Sequence, residues 1–302
     1  MKYNRLGKSD LQVSEIGLGC MSLPVDDFRQ GAALVRSAFD FGINYFDTAD
    51  LYGRGANEEL LGRAISGFRK EIILATKVGN QWRDGVEGWT WNPSRSHILW
   101  AVEQSLKRLA TDYIDLYQLH GGTDADNFEE ITETFELLVK QGKIRAYGLS
   151  SIRPNVFMRY LDKSAIVLNM MQYSALDTRP EEYMDSFFHA GISVVARGSL
   201  AQGILLDKAA TGPYLHHSLE DTRTIKRVVA ELATEQGVSK QAIALKYVLS
   251  RPAVASTVVG VRRMDQLGAL QRAYLELEII RENDFLRLLK DLPKIRYQDH
   301  WV

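Results

Sequence analysis

The chain has 302 residues, 45% of them hydrophobic, enough to build the core of one large α/β barrel or of two smaller domains. Lysine and arginine (37) nearly balance aspartate and glutamate (38), and no long basic run is present, which argues against nucleic acid or an anionic membrane as partner. A single cysteine, Cys20, excludes an internal disulfide framework and any multi-cysteine metal site; with no long apolar span and no apolar signal region, a soluble cytoplasmic protein without a metal is expected.

Residues 2–13 read as a hairpin, with Tyr3-Asn4-Arg5-Leu6 and Leu11-Gln12-Val13 around a turn at Gly7-Lys8-Ser9-Asp10. Such a hairpin is a candidate plug for one end of the domain. Strand-like segments then recur at 15–19, 45–48, 72–77, 114–120, 145–150, 167–172, 193–197 and 256–261. Helical spacing of apolar residues separates them at 28–41, 58–65, 95–109, 128–140, 154–161, 181–189 and 224–236. Asn57 suits a helix N-cap, and Pro154 and Pro180 suit first helical turns. Gly42, Gly142, Gly191 and Gly237 stand just past helix ends, where a left-handed residue is wanted. Eight βα units predict a parallel sheet closed into a (β/α)8 barrel, one domain over residues 1–302.

Two regions break this rhythm. Residues 82–91 are rich in Gly and Trp, and residues 207–218 are polar and include Gly212-Pro213. Both follow strands, so both fall on the C-terminal face of the barrel, where active sites lie. Trp82, Trp89 and Trp91 can line a substrate pocket or simply pack their own loop. His216-His217 lacks carboxylate or cysteine support at ligand spacing and reads as solvated.

An open, doubly wound sheet is the rival architecture. Its one supporting feature is Gly17-Leu18-Gly19-Cys20-Met21-Ser22, which lacks the third glycine of a dinucleotide fingerprint and runs into Leu23-Pro24 instead of a helix.

The ends of three strands carry the chemistry. The second delivers Asp47 and then Tyr52; the third ends in Lys77; the fourth ends in His120. Taken singly, each has an ordinary structural explanation. Taken together, they fall on neighbouring strands at one face. A free phenol has a pKa near 10 and is a poor proton donor at neutral pH, but a nearby ammonium lowers it. A carboxylate beside the ammonium keeps it charged, and a histidine can orient a carbonyl oxygen. The four groups therefore make a site for protonating an oxyanion as it forms.

The run Asp47-Thr48-Ala49-Asp50-Leu51-Tyr52-Gly53, with Lys77, His120, Gln172 and the segments 142–151 and 196–208, resembles the aldo-keto reductase superfamily over nearly the whole chain. The resemblance implies a (β/α)8 barrel with an N-terminal hairpin, NADPH extended over its C-terminal face, and reduction of a small-molecule aldehyde or ketone. It implies Tyr52 as general acid, Asp47 and Lys77 as its tuning pair, and His120 as the group that orients the carbonyl. For the cofactor it implies Gly19, Cys20 and Met21 after the first strand, Ser150 and Ser151 where the family normally has Ser-Asn, and Gln172. Arg197 stands where a flat group stacks on the nicotinamide. Gly198, Ser199, Leu200 and Gln202 fold over the pyrophosphate, with Lys208 beyond. Gly260, Arg262 and Gln266 lie near the 2′-phosphate. Arg262 and Arg263 open a helix, an adverse place for cations unless a phosphate sits there. Ala269 and Leu270 replace the polar pair that the family often places on the adenine. Two other functions are open: a cofactor-binding, redox-sensing subunit like the β subunits of potassium channels, and a Schiff-base lyase using Lys77. Nothing in the sequence sets the oligomeric state or names the substrate.

Overall fold

The computed structural model describes residues 1–82, 85, 87–281, 285 and 292–298. Strands β1 (Tyr3–Arg5) and β2 (Gln12–Ser14) pair antiparallel as the expected hairpin. The barrel then winds through β3 (Ile16–Gly19), α1 (Phe28–Asp40), β4 (Tyr45–Asp47), α2 (Ala56–Ile65) and β5 (Ile73–Val78). A small antiparallel pair comes next, β6 (Asn80–Trp82) with β7 (Trp89–Trp91), in the tryptophan-rich loop. Residues 83, 84 and 86 of that loop lie outside the described residues. The chain continues with α3 (Arg95–Leu109), β8 (Ile114–Leu119), α4 (Phe128–Lys140), β9 (Ile144–Leu149), α5 (Pro154–Lys163), β10 (Leu168–Gln172), α6 (Met184–Ala190) and β11 (Ser193–Arg197). It ends with α7 (Leu219–Gln236), α8 (Lys240–Leu249), β12 (Val254–Gly260) and α9 (Met264–Glu276). Eight parallel strands close in the order β3-β4-β5-β8-β9-β10-β11-β12, with Gly260 of the last beside Gly19 of the first.

Side-chain alternation explains how the barrel builds a site. In a strand every second residue points the same way. Tyr45, Ile73, Ala75, Leu116, Ala146, Met170 and Val195 form one buried cluster inside the barrel. Continuing each inward row by two residues reaches Asp47, Lys77, Gln118, Gly148, Gln172 and Arg197. One further step on two strands reaches His120 and Ser150. The inward rows are therefore apolar below and mostly polar at the C-terminal rim. The hairpin closes the other end, as expected of a plug. Leu6, Leu11 and Val13 are at most 1% exposed and join the same interior cluster. Each such side chain contributes roughly 1.5–3 kcal/mol of burial.

Several local expectations need correction. Asn57 is not an N-cap: Gly55, left-handed at φ 93°, caps α2, and Asn57 is buried inside the helix. A Cβ on Gly55 would meet the Arg108 side chain at 2.5 Å, so only glycine fits there. Pro180 does take its expected place in a first helical turn, but that turn is a 3-10 one, Arg179–Tyr183, leading into α6. Helix α7 begins at Leu219 instead of 224, behind a capping box of Ser218 and Asp221. Helix α8 is an element the sequence pattern does not predict, because Ala242, Ile243, Ala244, Leu245, Tyr247 and Val248 are all buried and leave no polar face to set a period. His217 is buried, unlike the exposed His216, and burial lowers its pKa. The four helix-end glycines do take positive φ, from 66° to 100°.

Candidate active site

Lys77 is the centre of the rim. It is 1% exposed, and its ammonium donates to three oxygens: Asp47 Oδ2 at 2.5 Å, the Thr48 carbonyl at 2.7 Å and Tyr52 Oη at 3.3 Å. Burial works against the charge, but Asp47 and Tyr52 outweigh it and the lysine pKa is raised. Asp47 is 4% exposed, and burial pushes its carboxyl up against the pull of Lys77 and Gln118. Gln118 Nε2 donates to the other carboxylate oxygen at 3.0 Å. Sequence reading missed Gln118, although a polar residue on an inward row two before His120 was a usable signal.

The Tyr52 ring meets His120 edge-on, 5.9 Å between centroids. The histidine backbone is pinned on both sides: its N–H donates to the Val78 carbonyl at 2.7 Å, and its carbonyl accepts from Asn80 Nδ2 at 3.2 Å. Burial, then the positive charges of Lys77 and Arg197, push the imidazole pKa down to about 3. His120 is neutral at physiological pH, with one ring nitrogen donating and the other accepting. Its Nδ1 has no partner among the described residues.

Helix α2 anchors these strand ends. Thr48 Oγ1 donates to Asn57 Oδ1 at 2.6 Å, and Asn57 Nδ2 donates to the Cys20 carbonyl at 2.7 Å. Thr76 Oγ1 donates to Glu58 at 2.6 Å, and Arg108 holds the other oxygen of that carboxylate. Gly53 and Arg54, at φ 58° and 54°, make the left-handed turn between Tyr52 and the helix.

A cavity of about 530 Å³ opens beside His120, lined among others by Trp89, Trp91, Ser150, Ser151, Arg153 and Arg197. Of the four strand-end groups only His120 lines it; Asp47 and Lys77 are buried behind. Trp82 lies apart, on a smaller cavity of about 170 Å³ with Asp50 and His97. A larger cavity, about 620 Å³, lies beside Glu181 and Arg251 and contains none of the four.

The expected cofactor positions fall on the same face, spread around the rim. Asn169 clamps the Ser151 backbone through both amide groups, at 3.1 and 3.0 Å. Gln172 accepts from Arg197 at 3.2 Å and donates to Tyr214 Oη at 3.5 Å. Gly198, Ala201, Gln202 and Gly203 all take positive φ; Ser199 is buried, while Gln202 and Lys208 are exposed. Cys20 is fully buried, its thiol turned to the Leu18 carbonyl and its own carbonyl held by Asn57; Met21 is exposed. Arg262 is exposed, and Gln266 accepts its backbone N–H at 2.8 Å. Arg263 is bound to Asp265 at 2.9 Å. Leu270 is buried in the core.

A closed barrel with buried, paired polar groups at its C-terminal rim is the architecture of a small-molecule enzyme. Residues 15–283 match the model of the aldo/keto reductase family, and the chain belongs to that family, whose members are oxidoreductases of carbonyl groups that use a nicotinamide cofactor. It is similar to the uncharacterized oxidoreductase YqkF of Bacillus subtilis, 49% identical over 275 residues, which covers 88% of this chain and 89% of the relative. It is 28% identical to L-glyceraldehyde 3-phosphate reductase of Escherichia coli K12 over 303 residues, covering 88% and 86% of the two. The holo form of aldo-keto reductase AKR11C1 from Bacillus halodurans superposes with a TM-score of 0.90 at 42% identity, over the full length of both chains.

Proposed function

We propose that this chain reduces an aldehyde or ketone to an alcohol, with NADPH supplying the hydride when bound and Tyr52 supplying the proton. The observation that carries this reading is the Lys77 ammonium, held by Asp47 and Thr48 and aimed at Tyr52 Oη from 3.3 Å. The ammonium faces the oxygen on which negative charge is left once the proton has moved to the substrate. As charge builds on the carbonyl oxygen, the Tyr52 O–H bond breaks and a new O–H bond forms on the substrate. Neutral His120 can donate to the same oxygen and set its orientation. Solvent then returns a proton to the phenolate.

The residues present fit the cofactor. Backbone at 198–203 passes through left-handed conformations at Gly198, Ala201, Gln202 and Gly203, a winding turn of a kind that can cradle phosphate oxygens. Arg262 is exposed and has no acidic partner among the described residues, so it is free to meet a 2′-phosphate. Planar Arg197 stands at the end of β11, where it can stack on the nicotinamide. The E. coli relative bears the name of an aldehyde reductase, which makes aldehydes the first class to try.

Changing Tyr52→Phe removes one oxygen and keeps the ring. With NADPH and a panel of aldehydes and ketones, turnover is expected to fall by at least about 10²-fold, the lower bound typical of general acid catalysis. NADPH affinity, read by fluorescence titration, is expected to change by no more than a few-fold. A Tyr52→Phe protein that still reduces carbonyls at near-normal rate would defeat this reading.

A further inference from the structure

The cavity beside His120 is positively charged, and none of the described residues that line it balances that charge. Two guanidiniums, Arg153 and Arg197, line it, and no acidic residue stands among its walls. Arg197 is engaged with Gln172 at the end of β11, next to Ser150 and Ser151. Arg153 is different. It rises from the loop after β9 and donates to the Gly122 carbonyl, while its backbone N–H donates to Ser151 Oγ at 3.3 Å. One carbonyl does not satisfy a fork of five N–H groups. Arg153 has no carboxylate within ion-pair distance among the described residues.

Of the acidic residues that follow Gly122, Asp124 is exposed and is not among the walls, while Asp126 and Glu129 are committed elsewhere. The Asp126 carboxylate accepts from Trp91 Nε1 at 2.9 Å, from the Thr123 N–H at 2.7 Å and from the Thr123 hydroxyl at 2.8 Å. Glu129 faces Arg159 at 3.7 Å. A half-buried guanidinium without a carboxylate partner, in the wall of a substrate-sized cavity, is placed to meet an anionic group of a ligand. The cavity also has an apolar side. Trp89 and Trp91 make its wall, and Gly121 and Gly122 bring no side chain to it.

We propose that the substrate is a carbonyl compound bearing a second, anionic group, a carboxylate or a phosphate, which Arg153 holds while the carbonyl lies at His120. This rests on the reductase reading and adds the substrate class. Arg153 offers a carboxylate or phosphate two parallel N–H bonds, a geometry that a lysine cannot copy.

The test compares matched pairs with NADPH: 4-carboxybenzaldehyde against its methyl ester, and glyceraldehyde 3-phosphate against glyceraldehyde. In at least one pair the anionic member is expected to have a kcat/KM at least about tenfold higher, carried mainly by KM, as for a charged hydrogen bond. The pair that shows it tells carboxylate from phosphate. The preference is expected to shrink as salt rises and to fall towards unity in Arg153→Gln, with Arg153→Lys retaining part of it. The ratio within a pair corrects for any general damage in the variant, and the salt series needs only the unaltered protein. If neutral members are reduced as well as their anionic twins, or if Arg153→Gln keeps the full preference, the inference fails while the reductase reading stands. If none of the four compounds nor the wider carbonyl panel is turned over, both fail.

Discussion

The two sides of the barrel rim are built on opposite principles. At the ends of β4, β5 and β8 the polar groups are buried and satisfy one another: Lys77 with Asp47, Thr48 and Tyr52, and Asp47 with Gln118. Beyond the ends of β11 and β12, Lys208, Arg262 and Arg263 are exposed, Arg263 is held by its neighbour Asp265, and the backbone after β11 bends through left-handed residues. Buried charges must be paired before anything binds, because an unpaired one costs several kcal/mol. That requirement suits a proton donor, whose electrostatics have to stand ready when the reaction begins. A grip on a charged ligand needs the reverse, cations that stay hydrated and free until the anion arrives.

The largest effect that would sharpen this contrast comes from Lys77→Met. On the buried side one change strikes both function and fold. Turnover is expected to fall by about 10²–10⁴-fold, since an unassisted phenol donates poorly. Stability is expected to fall by about 3–5 kcal/mol, because Asp47 is left buried without its cation. Urea unfolding and steady-state rates read the two losses separately. Adding Asp47→Asn to the variant should restore part of the stability and none of the rate. A Lys77→Met protein as stable as its parent would show that the pair does not hold this side of the rim together.

The same contrast explains what is legible in the sequence. Alternation within strands and polar residues at their ends point to Asp47, Lys77 and His120, because a rigid barrel turns strand position into space. Tyr52 lies beyond its strand, and its place is legible through the family motif it shares with Asp47. Gln118 is visible in principle, as the polar member of an inward row, but looks like one more strand residue. Helix α8 escapes because burial on all sides erases amphipathic periodicity. Asn57 suggests a cap since caps are the usual work of Asn near a helix start; its actual bonds, to Thr48 and the Cys20 carbonyl, are made across the fold. Arg153 gives no local signal, because its unpaired state depends on the committed partners of Asp126 and on the Gly122 carbonyl from another loop.

On the exposed side the arginines divide. Arg262→Ala is expected to weaken NADPH by about tenfold or more, the worth of one charge-assisted contact, and to leave NADH within about twofold. Arg263→Ala is expected to do much less, because its guanidinium is already bound to Asp265 through two hydrogen bonds of 2.9 Å. Neither change should alter unfolding by more than about 0.5 kcal/mol, as is usual at exposed positions. Titration with both cofactors checks this. Equal weakening of NADPH and NADH would mean that Arg262 does not read the 2′-phosphate, and would break the picture of a charge held in reserve.

A pH dependence is expected from His120, which stands on the buried side and is held neutral by burial and by neighbouring cations. Its pKa falls from an ordinary 6.5 to about 3 in the fold. Above pH 6.5 the imidazole is neutral in both the folded and the unfolded chain, and the shift contributes nothing to the pH dependence. As pH falls below 6.5, the unfolded chain takes up a proton that the folded chain refuses, so stability declines down to about pH 3. One such group adds a slope of at most about 1.4 kcal/mol per pH unit. Buried His97 and His217 are lowered too, so the parent alone does not isolate the contribution of His120. The difference between the parent and His120→Asn does. Between about pH 6.5 and 5, above the ordinary range of carboxylates, the parent is expected to lose more stability per pH unit than the variant. Parallel slopes in urea unfolding would mean that His120 takes up its proton freely in the fold. A histidine that charges so readily would not be the neutral partner that Tyr52 and the carbonyl require, and the buried side would lose its claim to be assembled in advance.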